Sequence, residues 1–226
     1  IGYALDDQIY FERALNLAET IGYQPLLTAV MSNMSVSAQQ RGDLDQAQTY
    51  AERSLAIARN INAAVWESHA LWSLSMIHAR RGDETRAEAL MYSFETLDSQ
   101  PEEQMALRRA QVYDALKRDQ EAIDAYQKLL AESSLGRSKQ LFVLQALAPL
   151  FARQRRHREA YEAQVAYETL RKQIQKDQND QLLRALESQH RAELAERQAA
   201  DERQQKEKLA QSLVELERLN AEIGEI

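Results

Sequence analysis

The chain has 226 residues, 28% of them charged, with a formal net charge of −7. That is enough for one or two domains with a substantial core, and the acidic balance argues against nucleic-acid binding, which needs a basic face. Without cysteine there can be neither a disulfide nor a thiolate metal site, and no apolar run approaches the roughly 18 residues that cross a bilayer. No signal peptide is apparent, so the expected placement is cytoplasmic, with no direct membrane contact. Six glycines and three prolines in so charged a chain describe an all-α protein.

Residues 1–20 read as the second helix of a unit whose first helix is missing, so the chain is expected to be a fragment. Gln24 to Gln40 and Leu44 to Asn60 form the first whole helix pair. Between them lies Arg41-Gly42-Asp43. Glycine tolerates the left-handed conformation that ends a helix, and the Asp43 side chain can cap the next one. Asn62 to Arg80 and Glu84 to Leu97 make another pair around a second Arg-Gly-Asp, at residues 81–83. Pro101 suits a first helical turn, where its missing N–H is not needed. That helix runs to about Leu116, and Gln120 to Ala131 returns along it. After the loop Ser133-Ser134-Leu135-Gly136 comes Arg137 to Arg153, with an internal Pro149 expected to bend it. A last helix starts near His157.

The pairs repeat. Gly2, Gly42 and Gly82 are forty residues apart, as are Ala14, Ser54 and Phe94, and residues 13–18 match residues 53–58. Two later copies lack the glycine and keep the rest: Ala110, Tyr113, Ala122, Tyr126 and Leu129, then Ala148, Phe151, Ala160, Gln164 and Tyr167. Small, aromatic, small and bulky residues at those offsets resemble the tetratricopeptide repeat (TPR). The resemblance covers roughly residues 1–170, and its forty-residue spacing is similar to the long-helix subgroup of peptide-sensing regulators.

The resemblance implies a TPR-like α-solenoid of antiparallel helix pairs, with a concave groove lined by the first helix of each pair. Matching offsets place Ser32, Val36 and Gln39, then Trp72, Met76 and Ala79, then Leu107, Gln111 and Asp114, then Gln145 and Pro149 along it. The groove would take a peptide or protein. Trp72 and Met76, one turn apart, read either as a peptide anchor or as ordinary core between repeats.

From Phe151 to Ile223 there is neither glycine nor proline. A continuous helix from His157 to Ile223 would be about 100 Å long, which requires a partner. Leu209, Leu213, Leu216, Asn220 and Ile223 form an a/d seam. An Asn at an a position favours a parallel, in-register homodimer, because its amide finds a partner across the two-fold axis. Ala192, Ala195 and Ala199 keep this phase, whereas Leu182, Leu183, Leu186, His190 and Leu194 follow a shifted one, so the coil of residues 171–226 should contain a stutter. The alternative is a solvated helix, or one folded back on the repeats.

Chemistry is hard to find. His69, His78, His157 and His190 make no i, i+4 pair for zinc. Glu187-Ser188-Gln189-His190 matches a di-metal carboxylate motif, but it lacks companion helices. His190 is also not followed by the acidic residue and proline of a phosphoacceptor histidine. Phosphate loops and nucleophile elbows are absent, so neither enzymatic activity nor a cofactor or metal is expected. The Arg-Gly-Asp triplets fall on repeat turns, which argues against an adhesion role. The basic run 153–158 reads as a solvated turn or as a seat for an acidic segment.

The arrangement is similar to the sensory half of bacterial signalling proteins, in which tetratricopeptide repeats are joined by a helix to an output module. The expected function is thus a non-catalytic sensory and dimerisation region, most simply of a GGDEF diguanylate cyclase, with a groove ligand altering the phase of the coil. The alternatives are a scaffold that transmits nothing, or the sensor of a histidine kinase or transcriptional regulator.

Overall fold

The computed structural model describes residues 2–97, 101–132 and 135–224; side chains at 2–9, 195, 199–203, 207, 209–211 and 213–224 lie outside that description. The described residues form nine helices and no strand: α1 (Gly2–Ile21), α2 (Gln24–Arg41), α3 (Leu44–Asn60), α4 (Ala64–Arg80), α5 (Glu84–Glu95), α6 (Glu102–Ala115), α7 (Asp119–Ala131), α8 (Arg137–Arg153) and α9 (His157–Gly224). The chain divides into two units, residues 1–168 and 169–226.

In the first unit α2 packs on α3, α4 on α5 and α6 on α7, and the first helices of successive pairs also touch, α2 with α4 and α4 with α6. This is an all-α, solenoid-like stack of antiparallel pairs. One turn recurs throughout. Gly42 has φ 82°; its N–H donates to the Gln39 carbonyl at 3.1 Å, and the Asp43 N–H reaches the Ala38 carbonyl at 3.0 Å. These are the paired bonds that close a helix C-terminus around a left-handed residue. Asp43 then accepts from the Gln46 N–H at 3.0 Å, capping α3, and Asp83 does the same for α5.

Gly2, counted among the repeat glycines from its spacing, is the first residue of α1. Gly22 ends that helix instead, with φ 70°. Where no glycine is present, the same left-handed position is held by Asn62, Lys117 and Arg155, at φ 53°, 63° and 60°. A side chain there crowds the following carbonyl. Arg155→Gly should therefore stabilise the protein by about 0.5–1 kcal/mol, read as a higher urea midpoint at unchanged slope; an unchanged or lower midpoint would refute the strain.

Small residues set the spacing inside each pair. Ala38, Ala47 and Ala51 bring α2 and α3 together, and Leu74 and Ile77 of α4 fill the next gap. Phe94 of α5 sits among Leu71 and Met76 of α4 and Met105 and Val112 of α6. Tyr126, Leu147, Leu150 and Phe151 are part of a third cluster that reaches Ala163. Buried serines replace apolar side chains at some of these contacts. Ser35 Oγ donates to the Ala47 carbonyl at 2.8 Å, and Ser75 repeats that bond to the Ala87 carbonyl at 2.7 Å. A short hydroxyl thus fits where helices approach closely and still finds an acceptor. α8 runs uninterrupted through Pro149 to Arg153.

Adjacent pairs are also tied by arginines that reach back one repeat. Arg81 binds Asp45, Arg118 binds Glu84 and Glu88, and Arg153 binds Asp119 and Asp114. Exposed ion pairs contribute little stability. Repeated at the same place in each unit, these fix how one pair is seated on the next.

α9 continues into the second unit, where Leu182, Leu183, Leu186 and Leu194 are exposed. The side chains of the expected seam, Leu209, Leu213, Leu216, Asn220 and Ile223, lie outside those described. Among the described residues, no helix is long and apolar enough to cross a membrane.

Candidate functional site: a groove across the first helices

A groove of about 600 Å³ runs over α2, α4, α6 and α8 of the first unit. Val36 and Gln39 come from α2, Trp72 and Met76 from α4, Gln111 and Asp114 from α6, so residues far apart in sequence share one wall. The reason is register: first helices of successive pairs lie side by side, so the same helical face returns once per repeat. Arg80, Lys117, Tyr126, Phe142 and Arg153, none of which the offsets placed in the groove, also line it.

Ser32 does not belong to the groove. It is only 2% exposed, and its hydroxyl pairs with that of Ser54 at 2.9 Å, tying α2 to α3. Ala79 and Leu107 are likewise buried, and Gln145 and Pro149 are exposed but do not line it. Trp72 packs on the Phe94 cluster and also lines the groove.

The polar groups differ in how far they are committed. Gln39 Nε2 donates to Ser73 Oγ at 2.8 Å. Asp114 and Asp119 both accept from Arg153, and these bonds hold that guanidinium above its ordinary pKa. Tyr126 is 1% exposed, and burial followed by the Asp114 charge pushes its phenol up. Arg80 donates to the Gln39 carbonyl at 3.1 Å, and neither it nor Lys117 has a carboxylate partner among the described residues. The lining thus holds two cations without a carboxylate partner among the described residues, beside the apolar surface of Val36, Trp72, Met76 and Phe142, in a chain whose net charge is −7.

At one end of this wall Trp72 meets a second group of side chains. His69 stands edge-on to its ring at 5.2 Å between centroids, and the Arg108 guanidinium lies 5.5 Å from the ring centre. Arg108 Nη1 also donates to Ser68 Oγ at 3.0 Å. Burial, then the Arg108 charge, lowers the His69 pKa to about 4, so the imidazole is neutral at neutral pH. Sequence reading passed over this cluster, because Ser68 and Arg108 are forty residues apart and each alone reads as surface.

The basic run 153–158 is largely paired within its own surroundings. Arg156 binds Glu159 and Arg158 binds Glu162, while Arg155 occupies the turn. His190 is exposed, and among the described residues no three His, Cys, Asp or Glu side chains are grouped to hold a metal ion.

No protein-family model matches the chain, and no curated protein sequence does. Among solved structures, the crystal structure of BtubC (BKLC) from P. vanneervenii is similar, with a TM-score of 0.51 and 17% identity over 77% of this chain and 75% of that one. At that identity the likeness is one of fold.

Proposed function

We propose that this chain is a non-catalytic sensory region that holds a peptide or protein segment in the α2–α8 groove and dimerises through α9. The groove carries the reading: four helices contribute apolar surface and two uncompensated cations to one open trough. A matching ligand combines apolar side chains with acidic ones. The recurring turn, the small-residue contacts and the forty-residue period support assigning the stack to the tetratricopeptide type, whose members bind extended segments on this face. In that setting the coil would carry a change of solenoid curvature to an output such as a GGDEF diguanylate cyclase.

The test is selection from a random peptide display library on the full chain, beside a Val36→Glu, Lys117→Glu, Phe142→Ser variant. The wild type should enrich an acidic and apolar consensus that the variant binds at least about tenfold more weakly, about 1.4 kcal/mol. Equal binding by both would remove the groove from consideration. Light scattering should give twice the 25.9 kDa chain mass, halved by Leu209→Glu with Leu216→Glu. A wild-type monomer would favour the second reading, an adaptor that binds a partner and transmits nothing.

A further inference from the structure

Arg108 is a charge buried without a counter-charge. The residue is 5% exposed, yet its contacts are the Ser68 hydroxyl and the face of Trp72, and no carboxylate meets it among the described residues. A buried guanidinium is expensive unless it is paired, whereas Arg81, Arg118 and Arg153, which also tie adjacent helix pairs together, each have an acid. Two further nitrogens at the same spot are buried without a hydrogen-bond partner, Trp72 Nε1 and His69 Nδ1. The indole N–H can only donate, and the guanidinium has N–H groups beyond the one that Ser68 accepts. Beyond the Ser68 hydroxyl, the indole N–H and the remaining guanidinium N–H groups thus meet no acceptor among the described residues, while the neutral His69 ring carries one donor and one acceptor nitrogen. His69, held neutral by burial and by Arg108, adds no second positive charge.

Resting on the groove reading above, we propose that Arg108 and Trp72 seat an oxyanion, a carboxylate or phosphate group carried by the groove ligand. Trp72 belongs to both places: one part of the residue lines the groove beside Met76, and Arg108 lies over its ring. The anion would accept from the planar Arg108 fork, the geometry suited to carboxylate and phosphate, and from the Trp72 Nε1–H. The apolar part of the ligand would then lie along Met76 and Val36. Arg80 and Lys117, which line the groove without a carboxylate partner among the described residues, would draw the anion in.

The chain has two tryptophans, so a ¹⁵N-labelled full chain gives two indole N–H signals, assigned with Trp66→Phe. Sodium phosphate and sodium acetate are titrated separately against sodium chloride at constant ionic strength. The Trp72 signal should shift saturably with one or both. Arg108→Lys should weaken the response about tenfold, because an ammonium cannot reproduce the planar fork, and Arg108→Met should abolish it with helicity retained. Should Arg108→Met not fold, Arg108→Lys alone decides. A Trp72 signal still with both anions, or an equal shift in the Arg108 variants, overturns the proposal. A response to acetate alone points to a carboxylate on the ligand, and a tighter response to phosphate points to a phosphate. Saturable shifts without any selected peptide would sink the groove reading and keep the anion seat; selected peptides with no shift would do the reverse.

Discussion

Replacing Phe94 by alanine should destabilise the protein by about 3–5 kcal/mol. The side chain is fully buried on α5 and packs among Leu71, Met76, Met105 and Val112, so it joins α5 to both α4 and α6. Truncation removes the transfer energy of a phenyl ring and leaves a void that three helices must close together. Tyr92, two residues away on the same helix and 71% exposed, is the control. Tyr92→Ala should cost less than about 0.5 kcal/mol. Urea unfolding followed by helical circular dichroism compares the two. The groove should suffer as well, because Met76 is shared between this cluster and the groove wall. A cost for Phe94→Ala below about 1 kcal/mol would mean that each helix pair stands alone and that the stack gains little from its neighbours.

The second large effect is on acid stability. An unfolded imidazole takes up its proton near pH 6.5, whereas His69 in the folded protein resists until about pH 4, because burial, and then the Arg108 charge, oppose a second cation. Between those values the unfolded chain binds more protons, so lowering the pH favours unfolding. The contribution is absent above pH 6.5, grows as the pH falls and levels off below about 4. At about 1.4 kcal/mol per pH unit its ceiling is ~3 kcal/mol. His69→Leu removes the titrating group and should keep most of that stability near pH 4, while changing little above pH 6.5. Urea midpoints of both proteins across the range give the comparison. Identical acid losses would show that His69 becomes protonated as freely folded as unfolded.

Occupation of the Arg108 seat would act on the same group from the other side. A bound anion offsets the charge that helps to depress His69, so its pKa should rise on binding. Histidine NMR titration with and without the anion that shifts the Trp72 signal checks the sign, since no change or a fall would contradict an anion placed there.

Sequence by itself determined the helices and placed most boundaries closely, because both depend on neighbours along the chain; α4 nevertheless starts at Ala64, with Asn62 in the left-handed turn before it, and α5 ends at Glu95 rather than Leu97. Helical spacing of small and apolar residues marks each helix, Gly42 and Asp43 supply a stop and a start, and α3 and α8 begin and end where those signals place them. It also brought Val36, Gln39, Trp72, Met76, Gln111 and Asp114 onto one wall, since a period of about one repeat carries the same face into each unit. Tertiary structure decided what each polar side chain does there. Repeat offsets place Ser32 in the groove, yet a close helix contact buries it and Ser54 satisfies it. Lys117 and Arg155 take the left-handed position without glycine, because the packing of two helices fixes the turn and the residue accepts the strain. The arginines that bind acids one repeat back look like scattered surface charges until the helices stack. Arg108 is the furthest case: its burial, its lack of an acid among the described residues and its place over Trp72 come from α4 lying against α6, and a contact between residues far apart in the chain leaves no local pattern to read.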